Sequence, residues 1–526
     1  MVSALRSNLI SGLGILIAIV LKGILVFTKA VPFNSDEAII ALMARHILQG
    51  ERPIFFYGQA YMGSLDAWLV AGAFRLIGES VFAIRVVQII LYVLFLLTMW
   101  SIARLVFKDR LVADISIWVA AIPPILITIY TTATLGGYCE TLVLGNLVLL
   151  IGYQVTLGRW RSSWWGWLTL GLVSGLAFWT NGLVVLYFVP IAAAGIWTLR
   201  KERISYYFVC LIGFFAASSP WWFYNATQGG AALAVFSQGA PTPTNLLSRT
   251  IGLITLNVPA LFGFRPPWTS QFASIPVQLI LIVFQLGTIL ILIKNRREKI
   301  IPMTHGWEAL GGIFILSFIS IFIGTQFGVD VTGRYLLPLY LSVVLLQALF
   351  IGVALKWRKA AGLALLSLVI LANGFETWNA AIAPDKITTQ FDPISRFDNQ
   401  HDDELISFLR DQGEIRGYTN YWVSFRLAFL SGEILIYSAE LPYKQDFSYT
   451  TMDNRYPAYY TAVAESSKVA YITTLHPELD KRIRVGLIES DVVFQEASIG
   501  PYHVFYDLSA VVRPAQFDFV AQDSMP

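Results

Sequence analysis

The sequence predicts an α-helical polytopic membrane protein with about eleven transmembrane helices, followed by a small C-terminal α/β domain. Hydrophobic residues make up 56% of the 526 residues and charged residues only 13%, about half the charged share of a typical soluble domain. Apolar runs of about 20 residues, the length that crosses a bilayer, recur until about position 378. The composition then changes, and this change predicts the separate domain.

The predicted spans begin at the N-terminus. No small-residue cleavage site follows the first apolar run and further spans come after it, so we interpret it as an uncleaved helix rather than a signal peptide. Each predicted span is close to the length that a membrane-crossing helix needs. The approximate ranges are 8–28, 82–103, 111–130, 139–157, 164–180, 182–199, 205–222, 275–293, 307–324, 335–355 and 360–378.

Basic residues predict the orientation of these spans. They cluster in alternate loops, and the positive-inside rule places such loops in the cytoplasm. The N-terminus is then cytoplasmic, and an odd number of spans makes the C-terminal domain extracytoplasmic. The clusters lie at 104–110, 159–161, 200–203, 294–299 and 356–359.

Two domains are expected, a transmembrane domain over 1–379 and an α/β domain over 380–526. In the second, short apolar runs ("ILIYSA", "VAYITT" and "YHVFYD") alternate with helix-like stretches ("DDELISFLRDQG" and "HPELDKRIRVGLIES"). Strands that alternate with helices are typical of α/β folds.

The first outer loop carries two adjacent carboxylates, Asp36 and Glu37. They follow Asn34 and Ser35, either of which suits a helix N-cap, and acidic residues in a first turn favour the helix dipole. The pattern after them predicts an amphipathic helix along the outer membrane interface. Both acids could simply stabilise that helix. A carboxylate against the bilayer is costly, however, and this favours a functional role.

Further along this loop, polar groups interrupt an apolar run. Tyr57, Gln59, Tyr61 and Asp66 could line a polar pocket that binds a substrate. For the tyrosines, the alternative is an interfacial aromatic belt.

Two later outer loops supply further candidates. Glu140 follows Gly-Gly-Tyr-Cys at the top of a span, where acids are rare. Arg334 is the only cation of "GVDVTGRYLLPLY", with Asp330 placed to orient it and Tyr335 beside it. The guanidinium suits a phosphate group, although an arginine at this depth could instead extend toward lipid headgroups.

Several classes of function are disfavoured. The net charge of +3 indicates no nucleic-acid partner. The five histidines show no metal-ligand spacing, so no dedicated zinc site is predicted. The sequence contains no P-loop, no GxGxxG and no Gly-x-Ser-x-Gly motif.

At family level, "NSDEAIIALMARHILQGERPIFFYGQAYMGSLDAWLVAGAFRLIGES" resembles the first outer loop of GT-C class glycosyltransferases. It is most similar to bacterial relatives of protein O-mannosyltransferases and lipid A aminoarabinose transferases. "GGYCETLVLG" and "GRYLLPLY" resemble later loops of such proteins, and "GYTNYWVSFRLAFLSGE" resembles the C-terminal domain of one bacterial branch. The resemblance implies a GT-C-like fold.

The resemblance also implies an activity. A sugar would move from a polyprenyl-phosphate donor to an acceptor hydroxyl on a glycan, lipid or protein, at the outer face and in contact with membrane lipid. Asp36 would be the base with Glu37 beside it, Glu140 the second acid, and Arg334 the phosphate contact. Because the phosphate is already a leaving group, a single displacement would invert the sugar carbon.

One departure from the family pattern concerns the donor phosphate. Many relatives carry a Lys-Pro-Pro run whose lysine helps to hold the phosphate, and here Met62-Gly63-Ser64 stands in its place. This shifts the expected phosphate role onto Arg334. No cofactor is predicted with certainty, and a divalent metal is left open.

A transporter or lipid flippase is the alternative from another class. Transporters place their polar sites near the bilayer midplane, between repeated helices. The candidate residues here are predicted to lie on one face of the membrane, which favours the enzyme.

Overall fold

The computed structural model describes residues 2–198, 204–237, 245–517 and 519–522. They form two compact units. The first comprises Met1–Thr28, Tyr61–Leu65 and Arg85–Ala381, and the second comprises Lys29–Ala60, Asp66–Ile84 and Ile382–Pro526. Most of the first outer loop thus belongs to the same unit as the tail. The expected division at 379–380 lies close to the last junction and stays a prediction.

Long apolar helices dominate the first unit. Within the described ranges, seven are long and apolar enough to cross a membrane, and the pair Ile204–Ala217 and Ser219–Thr227, bent by 62°, would make an eighth. The chain is a multi-pass membrane protein. The seven are Leu9–Phe27, Val81–Phe107, Tyr138–Thr156, Ile275–Glu298, Trp307–Gly324, Arg334–Trp357 and Lys359–Ile382.

The other predicted spans coincide with shorter helices. The predicted span 111–130 is two helices, Arg110–Ala121 and Ile125–Tyr130, because Pro123 and Pro124 lie between them and cannot continue the hydrogen-bond ladder. Trp164–Thr180 has 17 residues and Val185–Trp197 has 13, fewer than the ~20 of a full crossing.

The predicted fold class is confirmed, but the described helices of full length number fewer than eleven. The basic cluster 200–203 lies outside the described residues. Shorter helical segments complete the first unit: Gly182–Val184, Ala231–Ser237, Leu246–Gly252, Leu253–Asn257, Val258–Leu261, Gln326–Val329 and Arg334–Leu339, which leads into Tyr340–Trp357.

A five-stranded mixed sheet forms the centre of the second unit. Its strand order is Ile436–Ala439, Arg416–Thr419, Ala470–Thr474, Tyr502–Tyr506 and Gln495–Ile499. The first three strands are parallel, and the last two pair antiparallel to their neighbours. Ser448–Thr450 pairs with Val520–Gln522, and Phe55–Phe56 pairs with Gln59–Gly63.

Helices cover this sheet, and the runs predicted as strands and helices in the tail take those forms. Leu409, Tyr437, Ile472 and Val504 form part of a buried core between them. The helices of the tail are Asp402–Asp411, Tyr421–Leu430, Pro457–Ala464 and Pro477–Glu489, with short turns at Pro393–Ser395, Thr451–Asp453 and Pro514–Phe517.

The helix predicted after Asp36 exists as Ser35–Gln49, but protein rather than lipid covers its apolar face, and its position along the outer interface stays a prediction. Eleven of its residues are buried. It packs against Tyr421–Leu430 of the same unit. The loop continues through the helix Leu65–Ile77.

Candidate functional site

The first turn of the helix Ser35–Gln49 separates the two predicted acids. Asn34 caps it, and its Oδ1 accepts a hydrogen bond from the backbone N–H of Glu37 at 3.1 Å. Ser35 and Glu37 are fully buried, whereas Asp36 is partly exposed. Of the adjacent pair, Asp36 therefore presents the accessible carboxylate. A catalytic role for Glu37 stays a prediction.

Asp36 is held by a residue from the tail. The Tyr421 hydroxyl donates to Asp36 Oδ1 at 2.5 Å, and Ser35 Oγ donates to the backbone carbonyl of Tyr421 at 2.5 Å. Burial, followed by the charge of Asp36, raises the pKa of Tyr421 well above its usual value. Tyr421 therefore remains protonated and donates over the physiological pH range.

Arg455 and Asp453 surround this pair. The Arg455 guanidinium lies 5.4 Å from the centre of the Tyr421 ring. It donates to the amide oxygen of Gln59 at 2.8 and 3.0 Å when that oxygen faces the guanidinium. Burial raises the pKa of Asp453 to about 7, against the opposing effects of Arg455 and a hydrogen bond from Tyr443.

Tyr57 belongs to a second network in this unit. Its hydroxyl donates to Glu51 at 2.7 Å and lies 2.9 Å from His46 Nδ1. His46 Nε2 lies 3.0 Å from Glu433. Burial alone would raise the pKa of Glu433, but hydrogen bonds from His46, Tyr459 and Arg45 lower it to about 2. These contacts join the first loop to the tail.

In the first unit, Arg334 sits in a short polar turn. Its Nε lies 2.9 Å from Asp330 Oδ2, and its guanidinium carbon lies 4.9 Å from the centre of the Tyr335 ring. Thr332 donates from its backbone N–H to Asp330 at 2.8 Å. The Arg334 side chain remains 38% exposed. An orienting role for Asp330 stays a prediction.

A glycine turn brings Tyr138 toward Arg334. Gly136 and Gly137 both have positive φ, of 81° and 80°, a conformation that glycine adopts at little cost. Tyr138 begins the next helix and interacts electrostatically with Arg334, Tyr335 and Asp330. Glu140 lies in the first turn of that helix and is buried. Its predicted catalytic role stays a prediction.

Met62-Gly63-Ser64, which stands where many relatives carry Lys-Pro-Pro, packs against the turn at Gly136 and Gly137. Met62 pairs with Asn181, and its sulfur occupies the space beside Gly136, 2.6 Å from where a Cβ would stand. The neighbouring Tyr61 interacts electrostatically with Tyr335. Asp66 is buried in the first turn of Leu65–Ile77. Substrate contacts by Tyr57, Gln59, Tyr61, Asp66, Asp330 and Tyr335 stay predictions.

Two other arginines make extensive contacts within the protein. Arg265 is buried and donates to four backbone carbonyls, including that of Thr269 at 2.5 Å. Arg45 pairs with Glu79 and Glu433. In the ranges that the structure describes, no group of three or more His, Cys, Asp or Glu could hold a metal. The option of a divalent metal stays a prediction.

Sequence reasoning missed Tyr421, Asp453 and Arg455. The Asn-Tyr-Trp stretch carries a local signal for a capped helix, since Asn420 accepts from the backbone N–H of Trp422 at 3.0 Å. No spacing rule connects that helix with Asp36, which is 385 residues away.

Solved structures share this architecture over nearly the whole chain. ArnT from Cupriavidus metallidurans bound to undecaprenyl phosphate matches with a TM-score of 0.59 and 10% identity, over 96% of this chain and 99% of that one. Its apo state matches with a TM-score of 0.60 and 11% identity, over 94% and 98%. The chain has a GT-C fold. The oligosaccharyltransferase of Archaeoglobus fulgidus, in complex with Zn and sulfate, matches with a TM-score of 0.52 and 14% identity, over 95% and 73%.

Comparison with protein-family models gives a match over part of the chain. The family model described as dolichyl-phosphate-mannose-protein mannosyltransferase matches residues 64–224. No curated protein sequence matches significantly. The resemblance predicted from the sequence is thus confirmed for the fold, and the match over 64–224 covers the glycine turn and Glu140.

Proposed function

We propose that the chain is a membrane glycosyltransferase that moves a sugar from a polyprenyl-phosphate donor to an acceptor hydroxyl, with inversion at the sugar carbon. The GT-C fold and the mannosyltransferase family match support this class of reaction. The observation that carries the proposal is the accessible Asp36 carboxylate, anchored in a capped helix turn whose other residues are buried.

Asp36 is the proposed general base. A carboxylate held in one orientation can accept the acceptor hydroxyl proton as the oxygen attacks the sugar carbon. The bond to the phosphate then breaks, and the lipid phosphate leaves with the electron pair. One displacement without a covalent enzyme intermediate inverts the anomeric carbon, as in single-step glycosidases.

Arg334 is the proposed contact of the donor phosphate. Its side chain is partly exposed, and Asp330 Oδ2 lies 2.9 Å from its Nε. A guanidinium offers several donors in a planar fork, so it can bind a phosphate oxygen while keeping that carboxylate. Negative charge grows on the leaving phosphate in the transition state, and a fixed cation stabilises that charge.

We also propose that the reaction takes place at the outer face, with the N-terminus in the cytoplasm and the α/β domain outside. The distribution of basic residues supports this orientation. A reporter that is active only in the cytoplasm, fused after Pro526, should give no signal. A strong signal would refute the orientation.

A donor screen tests the transferase itself. The purified full-length protein is incubated with membranes of its source organism and with undecaprenyl phosphate carrying labelled mannose, glucose or 4-amino-4-deoxyarabinose. We expect label to move from one donor into a product and undecaprenyl phosphate to be released. A chelator followed by added Mg²⁺ or Mn²⁺ tests the metal. Movement of intact donor across vesicles without sugar transfer would instead indicate a flippase.

A further inference from the structure

Tyr421 of the tail contacts both the proposed base, Asp36, and the residue before it, Ser35. The Tyr421 hydroxyl donates to Asp36 Oδ1 and Ser35 Oγ donates to the Tyr421 carbonyl, both at 2.5 Å. Tyr421 is 3% exposed and Ser35 is fully buried. Because Tyr421 contacts both the Asp36 carboxylate and the side chain of the preceding residue, these two contacts restrict translation as well as rotation of that carboxylate.

Tyr421 is itself fixed by the sheet. It is the first residue of the helix Tyr421–Leu430, which follows the strand Arg416–Thr419. Asn420 caps this helix and donates to Thr474 Oγ1 at 2.9 Å on the neighbouring strand. The Tyr421 hydroxyl therefore holds Asp36 from a position that the folded sheet determines.

Only one oxygen of Asp36 is used in this contact. The hydroxyl binds Oδ1, which leaves Oδ2 for the acceptor proton. A hydrogen bond to a charged group is worth roughly two to three times a neutral one, and a fixed carboxylate loses less orientational freedom when the acceptor attacks.

We propose that Tyr421 is a positioning residue for the transfer reaction: it orients the Asp36 carboxylate, so that the α/β domain takes part in setting up the base. This inference rests on the proposed role of Asp36. It concerns Tyr421 acting through Asp36 and requires no contact between Tyr421 and the substrate.

Tyr421→Phe tests the inference, because it removes the hydroxyl and keeps the ring. With the donor identified by the screen, we expect kcat to fall by about tenfold, the effect of losing one hydrogen bond to a charged group. KM for the donor should remain within a few-fold. A fall in kcat at nearly constant KM reports lost positioning of the base rather than weaker binding of the donor.

Tyr437→Phe is the matched control. Tyr437 is a fully buried tyrosine of the same sheet, and its hydroxyl donates to the backbone carbonyl of Glu414 at 2.7 Å. Its replacement should lower the melting temperature about as much as Tyr421→Phe, while leaving kcat unchanged. If the two variants have the same kinetics, Tyr421 is only a structural residue and the inference is wrong.

Ser35→Ala keeps the inference testable if Tyr421→Phe does not fold. It removes the second contact and keeps the hydroxyl, so kcat should fall by a few-fold, and wild-type kcat would contradict the inference. Asp36→Asn separates the two proposals. If that variant is active, the role of Asp36 fails. If it is inactive while Tyr421→Phe matches Tyr437→Phe, only the inference about Tyr421 fails.

Discussion

The surroundings of Asp36 and those of Arg334 are built in opposite ways. Asp36 is held by Tyr421, 385 residues further along the chain. Arg334 has its partners beside it, with Asp330 four residues before it and Tyr335 directly after it. The first arrangement depends on the folding of the tail, whereas the second is largely formed by one turn of the chain.

This difference has a consequence for mutations. Changes in the tail should affect the base through distant contacts, and they should leave Arg334 and its local partners intact. Changes around Arg334 should affect the donor phosphate while the unit that contains Asp36 keeps its stability. Kinetic and stability measurements on the two regions can therefore be separated.

Replacing Arg334 should have the largest effect of the changes outside Asp36. Arg334→Ala should lower kcat by on the order of a hundredfold, because the variant loses a charge-assisted contact that strengthens in the transition state. Arg334→Lys should recover only part of the rate, since it keeps the charge but loses the planar fork. Steady-state kinetics with one donor measure both.

The control for Arg334 is Arg296→Ala, which removes a cation whose side chain is 80% exposed. It should leave the rate unchanged. If Arg334 only extends toward lipid headgroups, Arg334→Ala will lower the transfer rate slightly and Arg334→Lys will leave it almost unchanged. That pattern would remove the phosphate role and with it the contrast between the two regions.

Asp453 should show an intermediate effect, on stability. Its pKa is raised to about 7 by burial, so the folded state holds this proton more tightly than the unfolded state does. Because the carboxyl ionises more readily in the unfolded state, the free energy of unfolding falls as pH rises from about 4 to above 7. Asp453→Asn should raise the melting temperature at pH 8, by about 2–4 °C for each kcal/mol regained. The gain should vanish near pH 4.

Scanning fluorimetry of the full-length protein measures this difference. If Asp453→Asn melts at the same temperature as the wild type at both pH values, burial of this carboxyl has no cost. The Asp36 surroundings would then be more hydrated than the structure indicates.

Glu433 should show the smallest effect and the opposite pH dependence. Its pKa is lowered to about 2, so its contribution to stability is present above about pH 4.5 and is lost as pH falls toward 2. Glu433→Gln should melt a few degrees below the wild type at pH 7, and the two should converge as pH approaches 3. Equal melting temperatures at pH 7 would show that this network does not hold the first loop to the tail.

Periodicity and composition predicted much of the fold. Apolar runs located the membrane helices, and Asn34 was foreseen as a possible cap of the helix that carries Asp36. The break at Pro123–Pro124 was missed because the apolar run continues through it. The burial of Ser35–Gln49 was also missed, since an amphipathic pattern does not show whether protein or lipid covers the apolar face.

The candidate site was predictable where its contacts are local. Asp330 and Arg334 are four residues apart, and their pairing could be expected from spacing. The contact between Tyr421 and Asp36 could not, because it depends on how the sheet places a helix of the tail. Sequence patterns also do not distinguish Asp36 from Glu37, whereas burial does.

Sugar transfer by Asp36→Asn is the most direct test of the proposed function. Asparagine keeps the shape and can still accept the Tyr421 hydrogen bond through its amide oxygen, but it cannot take up the acceptor proton. We predict no detectable transfer from the donor that the wild-type protein uses, with an unchanged melting temperature and normal membrane insertion. Transfer within a few-fold of wild type would contradict the role of Asp36 as the base.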